Sequence, residues 1–395
     1  MPGAVIIASA ISPALVIIAA LTAFVLYVLF GYPALLGFLA RRFAKPVRNG
    51  PFQPTVSIVV AAHNGEDFIE QKLASVAALD YPRGLTEVLI VSDGSTDRTE
   101  AIARGFAEVF RGVYRAVRVL CLPRGGKSTA LNVGIAAASG EILVLTDVRQ
   151  RLAPDSLRLL LENFADPNVG VASGELVILD GKTGEESSVG LYWKYEFGIR
   201  LHLSAIDSIF GATGAFYAIR RNLAVQIPAD SLLDDMYMPL AAFFRGYRLV
   251  ADPRARMFDY PTGLETEFRR KVRTLAGNYQ IIAAYPALLG FGNRLWFHYI
   301  SYKFARLLLP FALLAIAATS TLTPVPWRTA LLAAQAVFYG TAIADWWIPD
   351  AFPLKKATSA MRTFVTLMAA TACAVCVFFV PAGKLWRASS SAGKR

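Results

Sequence analysis

Two hydropathy regimes divide the chain. From Val56 to about Tyr260, short β-branched apolar runs alternate with segments whose apolar residues recur at helical spacing, which is an α/β pattern. Val56 to Ala61 predicts a strand buried on both faces, and Glu66 to Ala78 a helix. Further strands are predicted at Val88 to Val91, Val117 to Leu122 and Ile142 to Leu145, with helices at Asp97 to Phe110 and Lys127 to Ala138. Short links between such strands require right-handed crossovers, so a doubly wound, largely parallel sheet is expected. Beyond Asp147 the pattern loosens. It reads as a helix near Pro154 to Phe164, a strand near Val169 to Leu179, an aromatic segment from Tyr192 to Phe197, a glycine-rich strand over Gly211 to Tyr217 and a helix from Met236 to Phe244.

Outside this region the chain is apolar. Met1 to Ala40 carries no charged side chain, and Arg41, Arg42, Lys45 and Arg48 follow at once, as in a membrane span whose C-terminal end is cytosolic. A cleaved signal peptide would want a positive start and a shorter apolar core. Pro51-Phe52-Gln53-Pro54 reads as the linker leaving the membrane. Leu307 to Trp327, Thr329 to Ala344 and Thr363 to Gly383 are each close to the ~20 residues a helical span needs. Asp345 cuts the middle stretch short, so a buried core helix is its other reading. If all three cross, Lys384, Arg387, Lys394 and Arg395 end outside, against the positive-inside tendency, so one is expected to be re-entrant or interfacial.

Composition sharpens this picture. Of 395 residues, 55% are hydrophobic, which strains a purely soluble globular reading. The net charge of +11 suits membrane lipids of an anionic cytosolic leaflet or a diphosphate pocket, and needs no nucleic acid. Cys121, Cys373 and Cys376 are too few for a disulfide framework, and the pair in the apolar segment reads as small packing residues.

Candidate chemistry lies in an ordered series of acids. Asp93, in Ser92-Asp93-Gly94-Ser95, emerges from an apolar strand where an open sheet displays ligand-binding groups, and Gly94 lets backbone approach a base or ribose. A loop in which Asp97 caps the next helix is the plainer reading. Ala61-Ala62-His63-Asn64-Gly65-Glu66 follows the first strand and is equally a helix start. Gly125-Gly126-Lys127-Ser128 lacks the first glycine of a P-loop, since Cys121 stands there, but still places a cation at a helix start able to face a diphosphate. Asp147 ends the Ile142 to Leu145 strand and is a candidate metal residue, one carboxylate completed by diphosphate oxygens suiting Mg²⁺ or Mn²⁺. Arg149 and Arg151 could neutralise a leaving diphosphate instead. Asp234-Asp235 precede a helix; adjacency and burial raise a carboxyl pKa, so one suits a base, or the pair is a surface cap.

These residues resemble membrane-bound family 2 glycosyltransferases, the inverting GT-A group that includes cellulose and hyaluronan synthases, over about Thr55 to Gln280. Ser92-Asp93-Gly94-Ser95 is similar to the D-D-G-S element, Gly126 to Asn132 to G-K-x-x-A-L-N, Thr146-Asp147 to the start of D-x-D, and Leu233-Asp234-Asp235 to T-E-D. The resemblance implies an α/β GT-A fold of the nucleotide-diphospho-sugar transferase, Rossmann-like kind, flanked by transmembrane helices. It implies that Asp93 binds the nucleoside and that Asp235, beside Asp234, is the base. Two departures stand out. Arg149 replaces the second acid of D-x-D, and Arg270-Lys271-Val272-Arg273-Thr274 keeps only Arg273 of Q-x-x-R-W. Loss of that tryptophan, with few membrane helices, argues against a long processive product.

The expected organisation is a membrane anchor over 1–45, a cytosolic glycosyltransferase domain over 51–262, interfacial helices over 263–302, a transmembrane region over 303–383 and a basic tail over 384–395. The expected activity is inverting transfer of a sugar from a nucleotide-sugar donor, a UDP-sugar by preference, to a lipid-linked or glycan acceptor in envelope or exopolysaccharide synthesis. Glu66, Asp93, Gly94, Lys127, Asp147, Arg149 and Arg273 are expected at the donor, and Trp193, Glu196, Gly211, Thr213 and Gly214 at the acceptor. The alternatives are a processive polysaccharide synthase, a catalytically silent relative, and a nucleotide-binding transporter or scaffold; the last would place ionisable groups in its spans, and these have almost none.

Overall fold

A computed structural model describes residues 12–179, 191–260, 264–349 and 352–381. The start of the expected N-terminal span, the tail 384–395 and the side chain of Trp193 lie outside the described residues.

The four apolar runs form β1 (Val56–Ala62), β2 (Thr86–Asp93), β3 (Ala116–Leu122) and β4 (Ile142–Asp147). They are parallel in the order β3-β2-β1-β4. Alternation within each run explains why helices cover both faces. Val56, Ile58 and Val60 meet Ile69, Leu73 and Val76 of the helix Glu66–Ala77, while Val59, Leu89 and Val91 meet Ala130 and Leu131 of the helix Lys127–Ala137. Gly134 makes the second contact close: a Cβ there would lie 2.5 Å from Val59 Cγ1.

The other half adds β5 (Arg151–Leu152), β6 (Val169–Ile178), β7 (Phe216–Arg220) and β8 (Arg248–Asp259), extending the sheet as β4-β7-β6-β8-β5. The run β7 is antiparallel to β4 and to β6, and β8 is parallel to β6. The expected strand over Gly211 to Tyr217 is thus corrected: it begins at Phe216, and Gly211 to Gly214 form the loop before it. Their backbone N–H groups turn from the ladder because two are taken by polar side chains, Thr213 N by Ser173 Oγ and Gly214 N by Asp235. The aromatic segment becomes the helix Leu191–Ile206.

Among the described residues, three helices are long and apolar enough to cross a membrane: Pro13–Phe43, Trp296–Ser320 and Lys355–Phe378. The first two pack together through Val25, Val28, Ala305, Leu309 and Ala312. The stretch expected from Thr329 to Ala344 forms the helix Trp327–Ala344, which is not one of the three. Arg328 and Gln335 dilute its hydropathy. The helix Leu264–Ala284 lies between sheet and membrane helices, with Ala276 against Ala374 and Leu232.

Candidate active site

Register brings the acids to one edge. Asp93 ends β2, Asp147 ends β4, and Ala61 pairs with Asp147 while Ala62 pairs with Ser92. Because β7 runs antiparallel to β4, with Thr146 opposite Phe216, the loop Gly211 to Gly214 arrives at that same edge. The strand order reverses direction between β1 and β4, the place where open α/β sheets bind ligands.

At one end, Asp93 is buried and fully engaged. Its carboxylate accepts hydrogen bonds from Arg124, from Gly125 N at 2.6 Å and from Gly126 N at 3.0 Å, and Gly126 opens the helix that carries Lys127. Asp93 thereby ties the β2 turn to the lysine loop. Gly94 has φ +64°, and a Cβ there would lie 2.6 Å from Arg124 N, so only glycine fits. His63 Nδ1 lies 2.8 Å from Asp93 O, and Glu66 Oε2 accepts from Arg98 N at 3.1 Å. Asp97 reciprocates by accepting from Glu66 N at 3.1 Å, which fastens the β1 and β2 turns together.

At the other end, Lys127 stands among three carboxylates. Its Nζ lies 2.9 Å from Asp147 Oδ1 and 3.3 Å from Asp234 Oδ2. Burial alone would push the ammonium down, but Asp147, Asp234 and Asp235 outweigh burial and raise its pKa, so it stays charged. Asp234 and Asp235 occupy the first turn of the helix Asp234–Phe244, where the macrodipole favours anions. Asp235 Oδ2 accepts from Gly214 N at 3.1 Å, and Asp235 O accepts from Ala212 N at 2.8 Å. Burial first, then the charge of Asp234, raises the Asp235 carboxyl above the usual range. Arg273 joins the same field: burial lowers its pKa, partly offset by Asp235, Asp234 and Asp147.

The remaining expected residues are engaged by other partners. Arg149 Nε donates to Asp259 Oδ1 at 2.8 Å and Nη2 to Tyr260 O at 2.9 Å, an engagement that directs it to the end of β8. Glu196 is held by Arg306 at 2.6 Å and by the Tyr302 hydroxyl, both on the membrane helix. Burial would raise its carboxyl, but Arg306 and Lys303 lower it to about 2, so Glu196 joins domain to membrane helix as a carboxylate. Gly211 sits against Met236 with no room for a Cβ. Thr213 Oγ1 accepts from Arg200 Nη2 at 3.2 Å.

Sequence reasoning missed Lys72 and Arg200. Lys72 is fully buried beneath Asp147, donating to Thr146 Oγ1 at 2.5 Å and to Gln150 O at 2.8 Å. Burial lowers it to about 7, against the opposing pull of Asp147. A lysine in place of an apolar residue on the buried face of the helix Glu66–Ala77 was the available signal. Arg200 carried none, because its partners Ser173 and Thr213 lie far away in sequence.

A parallel β1 to β4 core, an antiparallel extension and an acid-lined switch point define the GT-A fold. Residues 57–227 match the model of the family described as Glycosyl transferase family 2. Among solved structures the chain is similar to mannosyltransferase PcManGT from Pyrobaculum calidifontis, in complex with GDP-Man and Mn²⁺. That likeness has a TM-score of 0.69 and 26% identity, and covers 91% of this chain and 97% of that one. Curated relatives include Probable glycosyltransferase YdaM of Bacillus subtilis, 25% identical over 247 residues (59% of this chain, 57% of the relative). Poly-beta-1,6-N-acetyl-D-glucosamine synthase of Staphylococcus aureus is 24% identical over 248 residues (60% and 58%). The match thus spans less than two thirds of the length of these curated relatives.

Proposed function

We propose that the protein is an inverting glycosyltransferase that moves a hexosyl group from a nucleoside-diphosphate sugar to a membrane-associated acceptor. The observation that carries the reading is Asp235: a partly buried carboxylate of raised pKa, oriented by Gly214 N, within the field of Lys127, which also holds Asp147 and Asp234. Asp235 takes the proton of the acceptor hydroxyl as that oxygen bonds to the anomeric carbon. The bond from the anomeric carbon to the diphosphate breaks with its electron pair, and the leaving group departs as an anion. Lys127 and Arg273 face that developing charge and stabilise it. Asp93 shapes the nucleoside end by fixing the Arg124 to Gly126 turn, and Glu66 and Gly94 line the neighbouring loops.

A divalent ion fits this donor set in one mode. Among the described residues no group of three or more ligating side chains converges, so the shell would be completed by diphosphate oxygens, with Asp147, 36% exposed, as the protein's carboxylate. When bound, Mg²⁺ or Mn²⁺ supplies Lewis-acid neutralisation of the diphosphate. The solved relative with GDP-Man and Mn²⁺ supports both the donor class and the ion.

We further propose a multi-pass membrane protein with a cytosolic catalytic domain, placed by Arg41 and Arg42 at the end of the first span. A processive synthase is the second reading, favoured by the likeness to the polysaccharide synthase; Thr274 in place of the family tryptophan supports single transfer. The test is a donor screen on purified full-length protein in detergent, covering UDP-sugars and GDP-mannose and reading nucleotide release and product length. Release with one donor, and its loss by roughly 10² to 10⁴-fold in Asp235→Asn, is expected. Undiminished turnover in that variant sinks the assignment of the base, and long polymers sink single transfer.

A further inference from the structure

A cavity of about 150 Å³ opens beside Asp235 at the seam between catalytic domain and membrane helix. Arg200, Gly211 and Thr274 line it from the domain, and Tyr302 and Lys303 from the helix Trp296–Ser320. Two cations, Arg200 and Lys303, line it together with the carboxylate of Asp235. Glu196, the acid that faces this seam from the helix Leu191–Ile206, is taken by Arg306 and Tyr302. Arg200 donates to two hydroxyls, 3.2 Å from both Ser173 Oγ and Thr213 Oγ1. Lys303 lies over the Tyr302 ring, 4.9 Å from its centroid. Among the described residues neither Arg200 nor Lys303 forms an ion pair with a carboxylate, so two cations face a small cavity that ends at the base.

Two further observations give the cavity depth and shape. Trp296, Tyr299, Tyr302, Lys303 and Arg306 crowd the first turns of the span, the aromatic and cationic belt that sits at lipid headgroups. Both adjoining membrane helices widen into π turns at this level, Tyr27–Gly31 and Ile300–Phe304, a feature frequent at functional sites. The two turns are fastened by Tyr27 Oη and Ser301 Oγ at 2.8 Å, and Tyr195 Oη donates to Leu29 O at 2.9 Å. The second π turn carries both Tyr302 and Lys303.

We propose that Arg200 and Lys303 bind the phosphate of a membrane-embedded acceptor, so that the acceptor is a lipid-phosphate-linked sugar whose hydroxyl reaches Asp235 from the bilayer side. Guanidinium and ammonium together match the charge of a phosphate, and headgroup depth matches a phosphate whose hydrocarbon stays in the membrane. This role as acceptor site rests on the glycosyltransferase reading, while the binding itself does not.

The test is binding to full-length protein in an uncharged detergent, with no donor present. Three probes are compared: geranylgeranyl phosphate, geranylgeraniol and inorganic phosphate. The expected result is tighter binding of the lipid phosphate than of the alcohol by roughly tenfold or more, the scale of one charge-assisted hydrogen bond. Arg200→Gln and Lys303→Gln should each abolish that preference, and Arg200→Lys should restore part of it. Melting temperature checks each variant; should Arg200→Gln not fold, Lys303→Gln and Arg200→Lys carry the test. Equal binding of phosphate and alcohol, or unchanged preference in folded variants, overturns the proposal. Displacement by inorganic phosphate at equal concentration assigns the site to a soluble anion and overturns the lipid class. Donor turnover by the wild type is read separately, so failure of the enzymatic reading is not confused with failure of this site.

Discussion

Asp235 must be ionised to accept a proton, and burial together with the charge of Asp234 raises its pKa to about 6. Turnover should therefore fall as pH drops through about 6, well above the ordinary carboxylate range near 4. A pH–rate profile on the preferred donor measures this limb, and a limb near pH 4 would assign the proton to a different group. Lys72 gives a second residue-scale prediction, read as stability. Its pKa is lowered to about 7 when folded but is near 10.4 in the unfolded chain, so between those values the unfolded state binds more protons. Wild-type stability should then rise with pH across this window relative to Lys72→Met. Paired melting curves from pH 7 to 10 read the difference, and a gap that stays flat or shrinks refutes a lowered Lys72. Asp93, Asp147 and Asp235 were legible in sequence because each follows an apolar run or precedes a helix. The hydroxyl partners of Arg200 were not, because tertiary contacts alone join them.

At the scale of elements, the site is made of turns held by one another. Asp93 receives the Gly125 and Gly126 amides, Asp97 receives the Glu66 amide, and Gly214 donates to Asp235. Gly94 is where this lattice leaves least room. An L side chain there combines an unfavourable φ with a Cβ 2.6 Å from Arg124 N. Gly94→Ala should destabilise the protein by on the order of 1–3 kcal/mol and loosen the Arg124 to Gly126 turn. A lower melting temperature together with a raised donor KM is the expected result; an unchanged KM would separate this turn from donor binding. The strands β1 to β4 could be read from sequence because strands buried on both faces are continuous apolar runs. The strand β8 escaped because Arg248, Asp252, Pro253, Arg254 and Arg256 interrupt it, and its register against β6 shifts at Ser173/Glu175. The loop Gly211 to Gly214 was read as strand for the converse reason: its small apolar residues imitate a run, while its amides serve side chains.

Across the whole molecule, the catalytic domain is joined by polar contacts to the helix Trp296–Ser320 and to the helix Leu264–Ala284 with the turn that follows it. Glu196 reaches Arg306 and Tyr302, Tyr285 Oη donates to Tyr237 O, and Gln280 grips Asp230 O and Leu232 N just ahead of Asp234. Helix positions relative to the membrane could therefore be transmitted directly to the Asp234–Asp235 turn. The same contacts fix the direction of each span. Tyr32 and Tyr302 pack with the domain core, placing the C-terminal end of the first span and the start of the second on the catalytic side. Phe378, near the end of the third span, packs on Tyr279 of the helix Leu264–Ala284, so that end returns to the same side. On the proposed topology of three crossings, the Trp327–Ala344 helix and the Asp345 ion-pair cluster lie on the side opposite the domain. A C-terminal green fluorescent protein fusion should fluoresce and an alkaline phosphatase fusion at the same place should be inactive, whereas a phosphatase inserted after Leu322 should be active. The opposite pattern at the C terminus would require a fourth crossing, and the Trp327–Ala344 helix would then be the segment that supplies it.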